Sequence, residues 1–218
     1  MAKENKRLID DGVYEIGVDE AGRGPLFGRV YAAAVILPKS DELDCSTMKD
    51  SKRFTSIKKI NEAAEYIKEN ALAWEVAYED EKTIDKINIR QATFKAMHSA
   101  IRNVIKKIKS DNIRLVIDGN DFKPYMSMNK NNYQSVPHTC IEGGDNKISC
   151  ISAASILAKV ERDKYIGVLC QNNPKLSENY GIHTNKGYGT KKHIDGIKEH
   201  GITEWHRKSY GICKEHSN

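Results

Sequence analysis

Apolar positions follow two rhythms along this chain. Residues 13–19 (VYEIGVD) and 29–37 (RVYAAAVIL) are compact apolar runs that predict strands, and the glycines and proline between them predict a turn. A loop over 38–55 leads to a predicted helix over 56–70, and LAWEVAYE (72–79) predicts a third strand. From Thr83 onward, Ile84, Ile87, Met97, Ile101, Val104, Ile105 and Ile108 recur at three- and four-residue steps, which predicts one long amphipathic helix. IRLVID (113–118), stopped by Gly119, has the continuous apolar character of a buried central strand. The Asn-rich stretch up to Pro137 reads as loop, and HTCIEGGD (138–145) as the last strand. Residues 147–169, rich in Ala and Ser, predict a closely packed third helix; 172–218 reads as turns with one or two short helices. Three strands followed by two more set among helices predict an α/β sandwich around a mixed sheet.

Composition narrows the class. A chain of 218 residues with 39% apolar residues suits one domain: a polar, flexible tail over 1–12 and a folded unit over 13–218, of which 172–218 is an extension. The net charge of +5 permits a polyanionic partner without requiring one. No apolar run approaches a membrane span, and the N-terminus lacks the apolar segment of a signal peptide, so the expected location is cytoplasmic. The five cysteines form no CxxC pair, which argues for free thiols and against zinc.

The acids carry the candidate chemistry. Asp19 and Glu20 end the first strand, Asp118 ends the IRLVID strand, and Asp145 follows Gly143-Gly144 just before the third helix. Strand ends are where α/β sheets gather their sites. Carboxylates without His or Cys beside them make a hard oxygen site, suited to Mg2+ or Mn2+. Taken singly, each acid has an ordinary explanation, and Asp145 could simply cap a helix. The adjacent pair Asp19-Glu20 is harder to dismiss, since like charges at a strand end repel without a cation. Strand alternation points Glu20 away from Asp19 unless the chain turns at once, which Gly22 and Gly24 would allow. Asp163, a helix length beyond Asp145, reads as a structural ion pair. His183, His193, His200 and His206 match no helical zinc pair and read as solvated or at most beside substrate. Lys191-Lys192 and Arg207-Lys208 read as solvated pairs able to meet phosphates. Tyr188 lies in polar loop sequence, which favours exposure.

The motifs VDEAGRGPL (18–26), DSKR (50–53), IDKINIRQATFKAM (84–97), VIDGN (116–120), GD (144–145), ISAASILAKVERD (151–163), NKGYGT (185–190) and HGITEWHRKSYG (200–211) occur in one order. Together they resemble ribonuclease HII, the type 2 ribonuclease H family, over nearly the whole chain. The resemblance implies a ribonuclease-H-like sandwich, a mixed five-stranded sheet flanked by helices, with a short C-terminal helical extension contacting substrate. It implies that Asp19, Glu20, Asp118 and Asp145 are the catalytic, metal-binding carboxylates for two divalent ions, Mg2+ or Mn2+. It implies that Gly22, Arg23 and Gly24 read the ribose 2′-OH, that Tyr188 helps identify an RNA–DNA junction, and that Lys52 contacts phosphate. The implied partners are RNA–DNA hybrids and ribonucleotide-containing duplex DNA, met by a monomer. Phe27, Arg29 and Phe54 depart from the family pattern, and the segment between Asp118 and Asp145 is longer than in compact members. A binding module without turnover, or a junction resolvase of the same fold, are the competing readings. The full set of acids opposes the first, and the Gly-Arg-Gly and Lys-Gly-Tyr motifs oppose the second.

Overall fold

The computed structural model describes residues 6–7, 9, 11–39, 43–45, 48, 56–129 and 132–217. Strand β1 (Tyr14–Ala21) pairs antiparallel with β2 (Val30–Ile36), and β2 pairs antiparallel with β3 (Ala73–Glu79). On its other edge β1 runs parallel to β4 (Ile113–Asp118). A hairpin, β5 (Met126–Asn129) and β6 (Asn132–Ser135), precedes β7 (His138–Ile141), which pairs parallel with β4. The five-stranded sheet therefore has the order β3-β2-β1-β4-β7 and is mixed, as predicted.

Helices cover both faces. On one lie α1 (Ile57–Asn70) and α4 (Ser149–Asn172), packed on Ala33, Val35 and Val116. On the other lies α3 (Ile89–Ile108), packed on Ile16, Val18, Leu115 and Ile117. With both faces covered, β2 is buried along its whole length, which explains its unbroken apolar sequence. The small residues of α4 allow direct contact with β1: a Cβ on Gly17 would overlap the backbone of Cys150.

Two elements differ from the sequence-based expectation. The long helix predicted from Thr83 is two, α2 (Glu81–Ile87) and α3, broken at Asn88. Asn88 takes a positive φ of 64° and its side chain accepts from the Gln91 N–H at 3.1 Å, so it ends one helix and caps the next without disturbing the apolar period. The stretch read as loop contains the β5–β6 hairpin, whose second strand is exposed along its length and so shows no alternation.

The extension holds α5 (Lys175–Tyr180), α6 (Ile182–Asn185), α7 (Lys191–His200) and a 3-10 turn over Gly211–His216, more helix than predicted. These pack with the end of α4 around a separate core of Phe27, Ile166, Leu176, Ile182 and Ile197. Phe27 is wholly buried there, edge-on to His206, a burial worth roughly 1.5–3 kcal/mol. Arg29 lies between the rings of Tyr78 and Tyr165, at 4.1 and 4.4 Å. The described residues of the polar N-terminal segment are hydrogen-bonded to the body: Lys6 exchanges two bonds with Ser149, and the Ile9 N–H reaches Glu15. No disulfide joins the five cysteines, and among the described residues no helix is long and apolar enough to cross a membrane.

Candidate active site

Register brings the acids together. Val18 pairs with Ile117 across the parallel β1–β4 edge, so Asp19 and Asp118 follow at the same level on neighbouring strands, about 4.8 Å apart by strand spacing. Asp19 pairs with Ala33, whose side chain faces α4, and alternation puts Asp118 on the same face as Val116. After β7 the chain turns back through Gly143, at φ 62°, and Gly144 donates its N–H to Asp118 Oδ1 at 2.7 Å. That turn delivers Asp145, which accepts from its neighbour Asn146 at 3.0 Å. β1 continues to Ala21, so Glu20 obeys alternation; it lies between the main cavity and a second cleft lined by Arg90, Thr93 and Phe94, paired with Arg23 at 3.2 Å.

Asp19, Glu20, Asp118, Asp145, Gly22, Arg23, Gly24 and Tyr188 all line one cavity of about 260 Å³. Lys52, the remaining predicted site residue, lies outside the described residues, as does Phe54. Asp19 is buried, and burial first, then the charges of Glu20 and Asp118, push its carboxyl well above the usual range, against a hydrogen bond to Ser155. Burial likewise raises Glu20, opposed by Arg23. A cation would relieve both. The donors are all oxygens, which fits a hard divalent ion. Among the described residues no three His, Cys, Asp or Glu side chains stand close enough together to hold a metal ion as they are; the acids share the cavity lining.

Three further residues, outside the candidates the sequence offers, line the cavity. Ser155, Lys159 and Arg162 join the lining from α4, and their i, i+4, i+7 spacing was a readable polar stripe. Asp163 pairs with Lys159 at 2.7 Å, the ion pair its position suggested. Tyr188, in the same cavity, is half exposed, and the position a Cβ would take on Gly24 is 3.6 Å from its Cε1.

The expectation of solvated histidines fails for His193 and His206, which are fully buried against Phe27 and Tyr180. The Thr203 N–H donates to His206 Nδ1 at 2.9 Å, which leaves the His206 proton on Nε2. That proton points at His193 Nε2, 3.1 Å away, and His193 Nδ1–H donates to the Tyr188 carbonyl at 2.9 Å. Both rings are thereby neutral, and the chain of bonds holds the turn that carries Tyr188. Burial, then the neighbouring His193, pulls His206 down to about 3. Its folded value lies below the unfolded value near 6.5, so the unfolded chain binds more protons between them and stability falls as pH falls through that window. From pH 7 to pH 5 this group alone is expected to cost about 2 kcal/mol. Thermal melts at the two pH values check it: the wild-type difference shrinks in His206→Gln, and an equal difference in both proteins refutes it.

The model of the family described as ribonuclease HII matches residues 16–213. A ribonuclease HII from Parabacteroides distasonis is 42% identical over 207 residues, covering 95% of this chain and 94% of that one. The fold agrees with the crystal structure of the ribonuclease H2 from Pyrococcus horikoshii OT3, at a TM-score of 0.71 and 20% identity, covering 92% of this chain and 95% of that one. It also agrees with Bst-RNase HIII, solved in complex with Mn2+, at a TM-score of 0.68 and 19% identity, covering 93% of this chain and 68% of the other. With both its sequence and its fold matched along almost its full length, the chain belongs to the ribonuclease HII family and is a ribonuclease, a hydrolase of phosphodiester bonds.

Proposed function

We propose that this enzyme hydrolyses the RNA strand of RNA–DNA hybrids and cuts duplex DNA on the 5′ side of an embedded ribonucleotide, leaving 3′-hydroxyl and 5′-phosphate ends. Such a reaction serves ribonucleotide removal from DNA and primer removal. The observation that carries this reading is a single cavity lined by the four carboxylates, by Gly22–Gly24 and by Tyr188, whose ring lies against Gly24. Asp19, Glu20, Asp118 and Asp145 would hold two divalent ions, Mg2+ or Mn2+, and the distant relative solved with Mn2+ is in keeping with that donor set. When bound, such ions activate water and stabilise the leaving oxygen. Lys159 offers a positive charge at the same cavity for the scissile phosphate. The loop amides and the Tyr188 hydroxyl would be the groups that recognise a 2′-OH, the one feature that separates ribose from deoxyribose.

The test offers the enzyme a DNA duplex with one ribonucleotide beside an all-DNA control, with and without Mg2+ or Mn2+. Cleavage of the first duplex alone, and only with metal, is expected; metal that changes affinity without cleavage would favour a binding module. Tyr188→Ala is expected to cost about 1–3 kcal/mol in the rate barrier, and Tyr188→Phe less, because it keeps the ring. Wild-type rates in the alanine variant would remove Tyr188 from recognition.

A further inference from the structure

The sequence predicts a solvated pair at Arg207-Lys208, yet Arg207 is fully buried. Its guanidinium donates to four backbone carbonyls of the segment facing the cavity: Gly22 at 2.6 Å, Arg23 at 2.9 Å, Pro25 at 2.8 Å and Gly28 at 2.9 Å. Its own N–H donates to the Leu26 carbonyl at 2.8 Å, and the Tyr210 hydroxyl adds a second bond to the Arg23 carbonyl at 2.9 Å. Among the described residues no carboxylate pairs with it. Burial pulls it to about 10, so it remains cationic at neutral pH. A buried cation persists only where polar groups replace water, and here loop carbonyls do so.

We propose that Arg207 is a positioning residue for sugar recognition: by drawing the carbonyls of Gly22 and Arg23 inward, it turns the N–H groups of Arg23 and Gly24 outward to the ribose. The reason is peptide geometry. In a trans peptide the N–H points opposite to the C=O of the preceding residue, so fixing those two carbonyls fixes those two donors. Among the described residues neither amide has an internal acceptor, and both belong to residues lining the cavity. Arg162 closes the other side: a Cβ on Gly22 would overlap its side chain, and its guanidinium reaches the carbonyls of Phe27 and Lys186, at 3.2 and 3.0 Å. The Gly22 carbonyl cannot swing away without disturbing one arginine or the other. A lysine at 207 keeps the charge but lacks the planar fork that reaches several carbonyls together.

This inference rests on the sugar-reading function proposed above. Its test compares affinities for a single-ribonucleotide duplex and an all-DNA duplex with Mg2+, in an Asp118→Asn background that keeps the duplex intact. Arg207→Lys is expected to cut the preference for the ribonucleotide about tenfold, with affinity for the all-DNA duplex unchanged. Lower stability alone would reduce binding to both duplexes alike and leave their ratio untouched. Tyr210→Phe removes one anchor from the Arg23 carbonyl and is expected to lower the ratio about threefold; it decides the matter if Arg207→Lys fails to fold. A background protein with no preference for ribose sinks the sugar-reading function and this inference with it. A preference present there and undiminished in the folded variants overturns the role of Arg207 alone.

Discussion

Asp118→Asn is expected to fold, to melt at or slightly above the wild-type temperature, and to lose cleavage roughly a thousandfold. The asparagine keeps an Oδ1 to accept the Gly144 N–H, so the turn that presents Asp145 survives. It also removes one of the charges that drive the Asp19 carboxyl upward, and that relief acts in favour of the fold. What it cannot do is balance divalent charge. Losing several kcal/mol of electrostatic stabilisation, at about 1.4 kcal/mol per decade of rate, gives the stated loss. Melting curves and cleavage of a single-ribonucleotide duplex, run on one preparation, check both halves. A folded variant with wild-type turnover would exclude Asp118 from the chemistry.

Gly17→Ala is expected to have the largest effect on stability, a loss of about 3 kcal/mol. The added methyl would overlap the Cys150 carbonyl group and lie 2.5 Å from the Ile151 nitrogen, all backbone atoms of α4 that cannot rotate away. Relief requires the helix to lift from β1. Asp19 sits two residues along β1, while Ser155, Lys159 and Arg162 ride on α4, so the two walls of the cavity would separate and turnover would fall in the molecules that still fold. Gly167→Ala on the same helix is the control: nothing lies within 4 Å of its new methyl, and replacing a helical glycine gains roughly 0.5–1 kcal/mol. Denaturant midpoints for the two variants should move in opposite directions. A Gly17→Ala midpoint equal to wild type would mean that α4 does not bear on β1 as described.

The sheet and the acids were legible in the sequence because both depend on near neighbours. A strand covered on two faces must be apolar throughout, as VYAAAVI is, and an acid closing such a strand stands out against it. The residues that hold the Gly22–Gly24 loop and the Tyr188 turn were not legible, because their partners carry no sequence signal. Arg207 is satisfied by backbone carbonyls some 180 residues earlier in the chain, and a carbonyl is the same at every position. The His193–His206 pair depends on the Thr203 N–H and the Tyr188 carbonyl in the same way. Asn88 was missed because a helix can be broken and restarted without losing its apolar period. Phe27, a departure from the family pattern, is explained once its neighbours are seen: it is the centre of the extension's own core.

That second core divides the enzyme into units that need not open together. Clusters with their own packing exchange and melt at their own free energies, and the extension joins the body through Phe27, the far end of α4, the Arg207 bonds to the Gly22–Gly28 segment and the Lys208 and Ser209 N–H bonds to Asp85. When α5–α7 loosen, the Tyr188 turn goes with them and the grip on the glycine loop is released, while Asp19 and Asp118 stay fixed by the β1–β4 ladder. On the proposed roles, the opened molecule would keep its carboxylates in register without the groups that read the sugar, and selectivity for ribose would be lost to warming or mild denaturant before cleavage is.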